Sequence, residues 1–179
     1  YELVRKSRIP VVNVDLIIGL PQETEQEIAY SLEQAVKLAP ENLTVHTLTL
    51  KRSAPLFQKQ EQAVLTTQAA ETMVQRAAEM AAAIGLEPYY LYRQHYMLGH
   101  LANIGYAKPG TESIYNIQMM EERHPVIGVG PASASKVPLP DGHHLHKLNM
   151  PKNVAVYGAR LQELAERRRD LFNIEGTDL

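Results

Sequence analysis

Residues 9–18, IPVVNVDLII, form a near-continuous apolar run that ends on Gly19-Leu20-Pro21, and this arrangement leaves few folds open. A strand that is apolar on both faces must be covered on both faces, as in the parallel sheet of an α/β protein. After the break, Thr24 with Glu27 three residues on forms a capping box, and Glu25 and Glu27 suit the positive end of a helix. Ile28, Leu32, Ala35, Val36 and Ala39 predict the buried stripe of that helix, and Pro40 stops it. The turn at the carboxyl end of such a strand is where α/β proteins bind ligands.

The same unit repeats. LTVHTLTL (43–50) reads as a second strand. A helix over 61–84 follows, with Met73, Val74, Ala77, Met80, Ala81 and Ile84 at helical spacing and a glycine at 85 to close it. EPYYLYR (87–93) is a third strand. The order predicts that 9–18, 43–50 and 87–93 are adjacent parallel strands, with helices 24–39 and 61–84 on the outer face.

Beyond residue 93 the pattern changes. Residues 94–124 mix glycines, Pro109 and Asn116 with Tyr96, Tyr106 and Tyr115 at no clean period, which reads as a functional loop or lid. PVIGVG (125–130) reads as another strand, and SASKVPL and HHLHKL around Pro140-Asp141-Gly142 as a β-hairpin. Asn149 and Pro151 open a last helix, with Val154, Tyr157, Leu161 and Leu164 inward and Arg167, Arg168 and Arg169 at its far end. The expected fold class is α/β, with one domain over 1–93 and a second segment of loop, strand, hairpin and terminal helix over 94–179.

Composition narrows the function classes. The 179 residues suffice for a sizeable core, and 45% hydrophobic with 21% charged residues is ordinary for a globular protein. A net charge of -2 supplies no field to recruit nucleic acid or an anionic membrane, and neither partner is expected. No apolar run is long enough to span a bilayer and no signal peptide is legible, so a cytoplasmic location is expected. With no cysteine, neither a disulfide nor a thiolate metal site can form from these residues. The sequence opens on Tyr1 rather than Met, which points to a piece of a longer protein.

Several residues could carry chemistry. Asp15 places a carboxylate where a purely structural strand would carry Val or Ile, on the face shared with Asn13. It is either tied to a neighbouring backbone group or arginine, or it accepts a ligand hydroxyl; spacing leaves both readings open. GVGPAS (128–133) resembles a phosphate loop only superficially, because a hairpin rather than a helix follows. His143, His144 and His146 could grip a metal from one hairpin arm, but a solvated arm beside a turn is the favoured reading. His46 reads as a satisfied core or lumen histidine beside Thr hydroxyls. Lys51, Arg52, Arg93 and Lys108 are either solvated loop charges or anchors for a substrate with several carboxylates.

VNVDLIIGLPQET followed by a helix and LTVHTLTLKRSAPL resembles the oxygen-independent coproporphyrinogen III oxidase family of radical S-adenosylmethionine (SAM) enzymes. YYLYRQHYMLGHLANIGYAKPGTESIYNIQMMEE and VIGVGPASASK look like its coproporphyrinogen dehydrogenase branch. The resemblance implies the second part of a partial (β/α) barrel with parallel strands, carrying SAM and a [4Fe–4S] cluster. In the family, reductive cleavage of SAM gives a 5′-deoxyadenosyl radical. That radical abstracts hydrogen from propionates of coproporphyrinogen III, which become vinyl groups with loss of CO₂. The family's cluster is held by a CxxxCxxC motif, which this sequence lacks, so the resemblance covers the carboxyl-terminal part and implies no activity for this stretch alone.

By resemblance, Asp15, Thr49 and Ala134 match SAM-contacting positions, and Gly128 and Gly130 form a turn where backbone can approach a ligand. Relatives carry a small apolar residue at the position of Thr49 and a larger aliphatic one at that of Ala134. Arg52, Arg93 and Lys108 are expected at one end of the sheet as propionate anchors for the tetrapyrrole, with 94–124 as a lid. The resemblance leaves the electron donor unidentified. A haem- or tetrapyrrole-binding protein on the same scaffold is the other reading, with His46, His95, Tyr96 and His100 as candidate haem ligands.

Overall fold

A computed structural model describes residues 1–49, 66–93, 101–142 and 144–173. The chain forms two compact units, residues 1–117 and 118–179.

The first unit runs α1 (Glu2–Lys6), β1 (Asn13–Ile18), α2 (Glu25–Lys37), β2 (Asn42–Thr47), α3 (Thr67–Ala83), β3 (Glu87–Tyr92) and β4 (Asn103–Ala107). β1 and β2 are parallel, with Asn13 opposite Asn42 and Ile18 opposite Thr47. β4 pairs antiparallel with β2 on one side and β3 on the other, giving the order β1-β2-β4-β3. β3 therefore runs in the direction of β1 and β2 but is not adjacent to them.

This corrects two expectations at once: adjacency of the three strands, and a loop or lid over 94–124. From residue 101 onward that segment contains a strand inside the sheet. Ile104 and Tyr106 turn toward the core, and Gly105 between them removes the side chain that would have completed a period-2 pattern. Because β4 belongs to the first sheet, the compact division falls at 117/118 rather than at 93/94.

α2 and α3 cover one face of the sheet. Ile18, Leu43, Val45, Leu86 and Tyr106 meet Ile28, Leu32, Met73, Ala77 and Ala81 there. Fully burying each large aliphatic side chain contributes about 1.5–3 kcal/mol. The capping box at α2 forms as expected: Thr24 Oγ1 accepts the Glu27 N–H at 3.3 Å, and the Thr24 N–H donates to Glu27 Oε2 at 2.8 Å. Ala39, expected inward, lies past the helix end and is exposed.

α4 (Ile114–Glu121) crosses the division between the units. The second unit then continues through β5 (Ala134–Pro138), β6 (Leu145–Asn149), α5 (Val154–Ala159) and α6 (Leu161–Phe172). β5 and β6 form the expected hairpin, Ala134 opposite Asn149. Residues 125–130 are not a strand; a single bridge joins Val126 to Lys136. The Gly128 N–H goes instead to Ser135 Oγ at 3.1 Å.

The single terminal helix expected after Pro151 is two helices with a break at Arg160, the first capped by Asn153 Oδ1 on the Val156 N–H at 3.1 Å. The break shifts the buried stripe. Val154 and Leu161 are exposed, while Leu164 and Leu171 pack on Val137, Leu148 and Met150.

Candidate functional site

The sheet face not covered by α2 and α3 is polar. Alternation along β1 and β2 places Asn13, Asp15, Thr44 and His46 there, beside Ile17, which is exposed. Cross-strand register sets Asp15 opposite Thr44, Thr44 opposite Gly105 and Gly105 opposite Tyr90, one row spanning all four strands.

Asp15 is open to solvent, its side chain 59% exposed. Asn13 Nδ2 donates to Asp15 Oδ1 at 2.5 Å, and Thr44 Oγ1 donates to Asn13 Oδ1 at 3.1 Å. His46 Nε2 lies 3.8 Å from Asp15 Oδ2. Tyr90 and Thr44 lie on either side of Gly105 in this row. Burial pushes the Tyr90 phenol above its ordinary range, and the nearby Tyr89 and Asp15 act in the same direction. The result is an accessible carboxylate whose orientation is set by a neutral amide. Such a group can accept hydrogen bonds from hydroxyl or amino groups of a ligand.

β1 is an edge strand of the described sheet, and a groove of about 220 Å³ runs along it. Asp15, Ile17, Leu20, Glu23, Ile28 and Ser31 are among its lining. Burial raises the Glu23 carboxyl from its ordinary range and Glu27 adds to this, while hydrogen bonds from the Leu20 and Gly19 backbone pull the other way. Glu23 Oε2 is buried with no hydrogen-bond partner among the described residues. A carboxylate in that state is costly and marks the groove as chemically distinctive.

The remaining candidates separate. Thr49 lies in the first unit just past β2, its Oγ1 3.5 Å from the Thr47 carbonyl oxygen. Ala134, Gly128 and Gly130 lie in the second unit. Ala134 is an exposed residue of β5. A Cβ on Gly128 would collide with the Ala134 carbonyl, whereas one on Gly130 would meet nothing within 4 Å.

Arg93 is exposed and directly follows β3, at the sheet end where Asn103 and Thr47 meet. Lys108 is at the opposite end: its N–H donates to the Glu41 carbonyl at 2.9 Å, and its Nζ is 3.7 Å from Glu41 Oε1. The expected cluster of three cations at one end therefore does not form. The antiparallel course of β4 carries Lys108 away, and Arg52 lies outside the described residues.

His144 Nδ1 is 2.7 Å from Asp141 Oδ2 on the exposed hairpin arm. His143 lies outside the described residues, as do His95, Tyr96 and His100. Among the described residues no group of three or more His, Cys, Asp or Glu is arranged to hold a metal ion, and no helix is long and apolar enough to cross a membrane.

Sequence reasoning singled out Asp15 and its face partner Asn13, and did not single out Tyr90, Gly105 or Glu23, which the structure places beside them or along the groove. A glycine flanked by two apolar residues, Ile104-Gly105-Tyr106, was the available signal for β4, since glycine inside a strand marks close approach of another group.

No protein-family model matches the chain. The chain is 40% identical over 169 residues to the oxygen-independent coproporphyrinogen-III oxidase-like protein HemZ of Bacillus subtilis (strain 168), covering 94% of this chain and 34% of that protein. It is 27% identical over 133 residues to the heme chaperone HemW of Escherichia coli (strain K12), covering 74% of this chain and 32% of that protein. Among solved structures, coproporphyrinogen III oxidase (HemN) from Escherichia coli, a radical SAM enzyme, superposes with a TM-score of 0.60 at 17% identity, over 90% of this chain and 36% of that one. That likeness shows a shared α/β fold. The chain spans about a third of the length of the curated relatives it matches.

Proposed function

Since the chain belongs, over the stretch it spans, to the family of oxygen-independent coproporphyrinogen-III oxidase-like proteins, we propose that it forms the late portion of a radical SAM partial barrel whose open sheet face receives SAM at Asp15. The observation that carries this reading is the placement of Asp15. It is an exposed carboxylate on a parallel strand, on the face away from the covering helices, and Asn13 fixes its orientation. The donor set fits the hydroxylated, cationic SAM molecule: Asp15 supplies acceptor oxygens and charge, and the adjoining groove supplies the apolar walls of Ile17, Leu20 and Ile28.

When bound, SAM supplies the source of the radical that removes hydrogen from the substrate. This chain's own residues bind and orient it. A [4Fe–4S] cluster does not fit the residues present, because such clusters are held by thiolates and the sequence has no cysteine. Cluster ligation would fall to cysteines outside these 179 residues. On this reading the intact protein converts coproporphyrinogen III to protoporphyrinogen IX in haem biosynthesis, and these residues alone have no activity. Arg93 is the described cation best situated for a propionate, since it is exposed at the carboxyl end of β3.

A second reading is a haem-handling protein on the same scaffold, favoured by the likeness to the heme chaperone HemW. Anaerobic incubation of the intact, cluster-loaded protein with coproporphyrinogen III and a reductant separates the two. Protoporphyrinogen IX formed together with 5′-deoxyadenosine supports the oxidase reading. Stable haem binding with no turnover of the porphyrinogen supports the other and overturns the first.

A further inference from the structure

β2 carries His46 where an apolar strand would carry another aliphatic residue, and alternation along the strand turns it to the same open face as Thr44. Thr44 is opposite Asp15 and Ile17 is opposite His46. His46 is therefore the diagonal neighbour of Asp15, one step toward the carboxyl ends of the two parallel strands. That is the end at which open α/β sheets bind their ligands. Both side chains are reachable from solvent, Asp15 59% and His46 33% exposed.

His46 Nε2 stands 3.8 Å from Asp15 Oδ2. Hydrogen bonds between nitrogen and oxygen run to about 3.2 Å, so the two atoms do not bond each other. Among the described residues neither atom takes part in a hydrogen bond, since Asn13 Nδ2 serves Asp15 Oδ1. The expectation of a histidine satisfied by neighbouring Thr hydroxyls does not hold: Thr44 Oγ1 donates to Asn13 and Thr47 Oγ1 to the Ala102 carbonyl. An exposed pair at this separation adds little to stability. It is, however, the separation that a vicinal diol requires. The two oxygens of a cis diol lie about one hydrogen-bond length apart, and one hydroxyl can donate to Oδ2 while the other bonds Nε2. The imidazole serves in either tautomer, because Nε2 either accepts from a hydroxyl or donates to it. Ile17, exposed and opposite His46, offers an apolar contact to the carbon skeleton of such a ligand.

We infer that His46 and Asp15 form a clamp for a vicinal diol, the ribose 2′- and 3′-hydroxyls of SAM, with one hydroxyl on Asp15 Oδ2 and the other on His46 Nε2. The inference rests on the reading of Asp15 as a SAM contact, and it adds His46 as a specificity-determining residue of that site. One carboxylate oxygen alone selects for one hydroxyl, whereas the pair selects for both.

The test is anaerobic equilibrium binding of SAM, 2′-deoxy-SAM and 3′-deoxy-SAM to the intact, cluster-loaded protein and its variants. The parent should bind both deoxy compounds more weakly than SAM. His46→Phe keeps a planar ring at the position and removes its nitrogens. It should weaken SAM binding by about three- to tenfold, the range expected for one hydrogen bond. It should also bind one deoxy compound as well as it binds SAM while still discriminating against the other, a selectivity that a packing role would not produce. His46→Gln, whose amide can meet a hydroxyl, should restore that discrimination in part. Asp15→Ala should lose discrimination at the other hydroxyl. If His46→Phe binds SAM like the parent, or loses affinity equally for all three compounds, while Asp15→Ala still weakens SAM binding, the clamp is overturned and the Asp15 site stands. If Asp15→Ala also binds SAM like the parent, both are overturned.

Discussion

Asn103 Oδ1 accepts the backbone N–H of Thr47 at 3.0 Å, so a buried side chain from β4 bonds the end of β2 beyond their backbone pairing. The pair ties together two strands that run in opposite directions, at the carboxyl end of β2. Replacing Asn103 with Ala leaves the Thr47 N–H buried without its acceptor. The expected cost is about 1–3 kcal/mol, read as a lowered denaturation midpoint with an unchanged denaturant slope.

At the other end of the sheet, Glu41 receives Arg5 Nη1 at 2.7 Å and the Val12 N–H at 3.1 Å. The hydrogen bond from Arg5 leads the effects that hold its carboxyl below the ordinary 4.5, against a smaller opposing effect of burial. A depressed carboxyl contributes stability above its unfolded-state value and loses it as pH falls through the folded-state value. The protein should therefore lose stability on acidification below about pH 4.5. Glu41→Gln should lower stability at neutral pH and flatten that acid limb in melts taken from pH 7 to pH 3.

Glu23 has the opposite sign. Burial raises its carboxyl, so folding favours the protonated form, and the associated stability is lost as pH rises through the folded-state value. Glu23→Gln keeps the shape and removes the buried charge. The variant should be more stable than the parent at neutral pH, with the difference vanishing in melts at acidic pH where both side chains are neutral.

The helices were the most legible part of the chain. Thr24 with Glu27, and the spacing of Ile28, Leu32 and Ala35, specify α2 through local rules that need no knowledge of the rest of the fold. β1 and β2 were legible as parallel partners for a similar reason, as apolar strands separated by one crossover helix. β4 was hidden because its central residue is Gly105 and because the strand has only five residues. Missing it reversed the placement of Lys108. Asp15 stood out because a charge on an apolar strand demands an explanation, whereas Tyr90 looked like any aromatic strand residue. Its place beside Thr44 depends on register with Gly105, a relation between distant segments that periodicity does not encode.

The two described cations proposed as anchors now sit at opposite ends of the sheet, which gives them different expected behaviour. Arg93→Ala in the intact protein should weaken binding of coproporphyrin III, a stable stand-in for the porphyrinogen, and the loss should shrink as salt is raised. Lys108→Ala should leave that binding unchanged, since Lys108 faces Glu41. Fluorescence titration of the tetrapyrrole at low and high ionic strength measures both.

The most direct test of the central claim is the affinity of the intact, cluster-loaded protein for SAM with Asp15 replaced by Ala. Losing a charge-assisted hydrogen bond should raise the dissociation constant by about ten- to a hundredfold and lower 5′-deoxyadenosine formation at limiting SAM. The melting temperature should change little, because the Asp15 side chain is exposed. An unchanged dissociation constant and unchanged 5′-deoxyadenosine formation would contradict the account, leaving Asp15 as no more than a surface partner of Asn13.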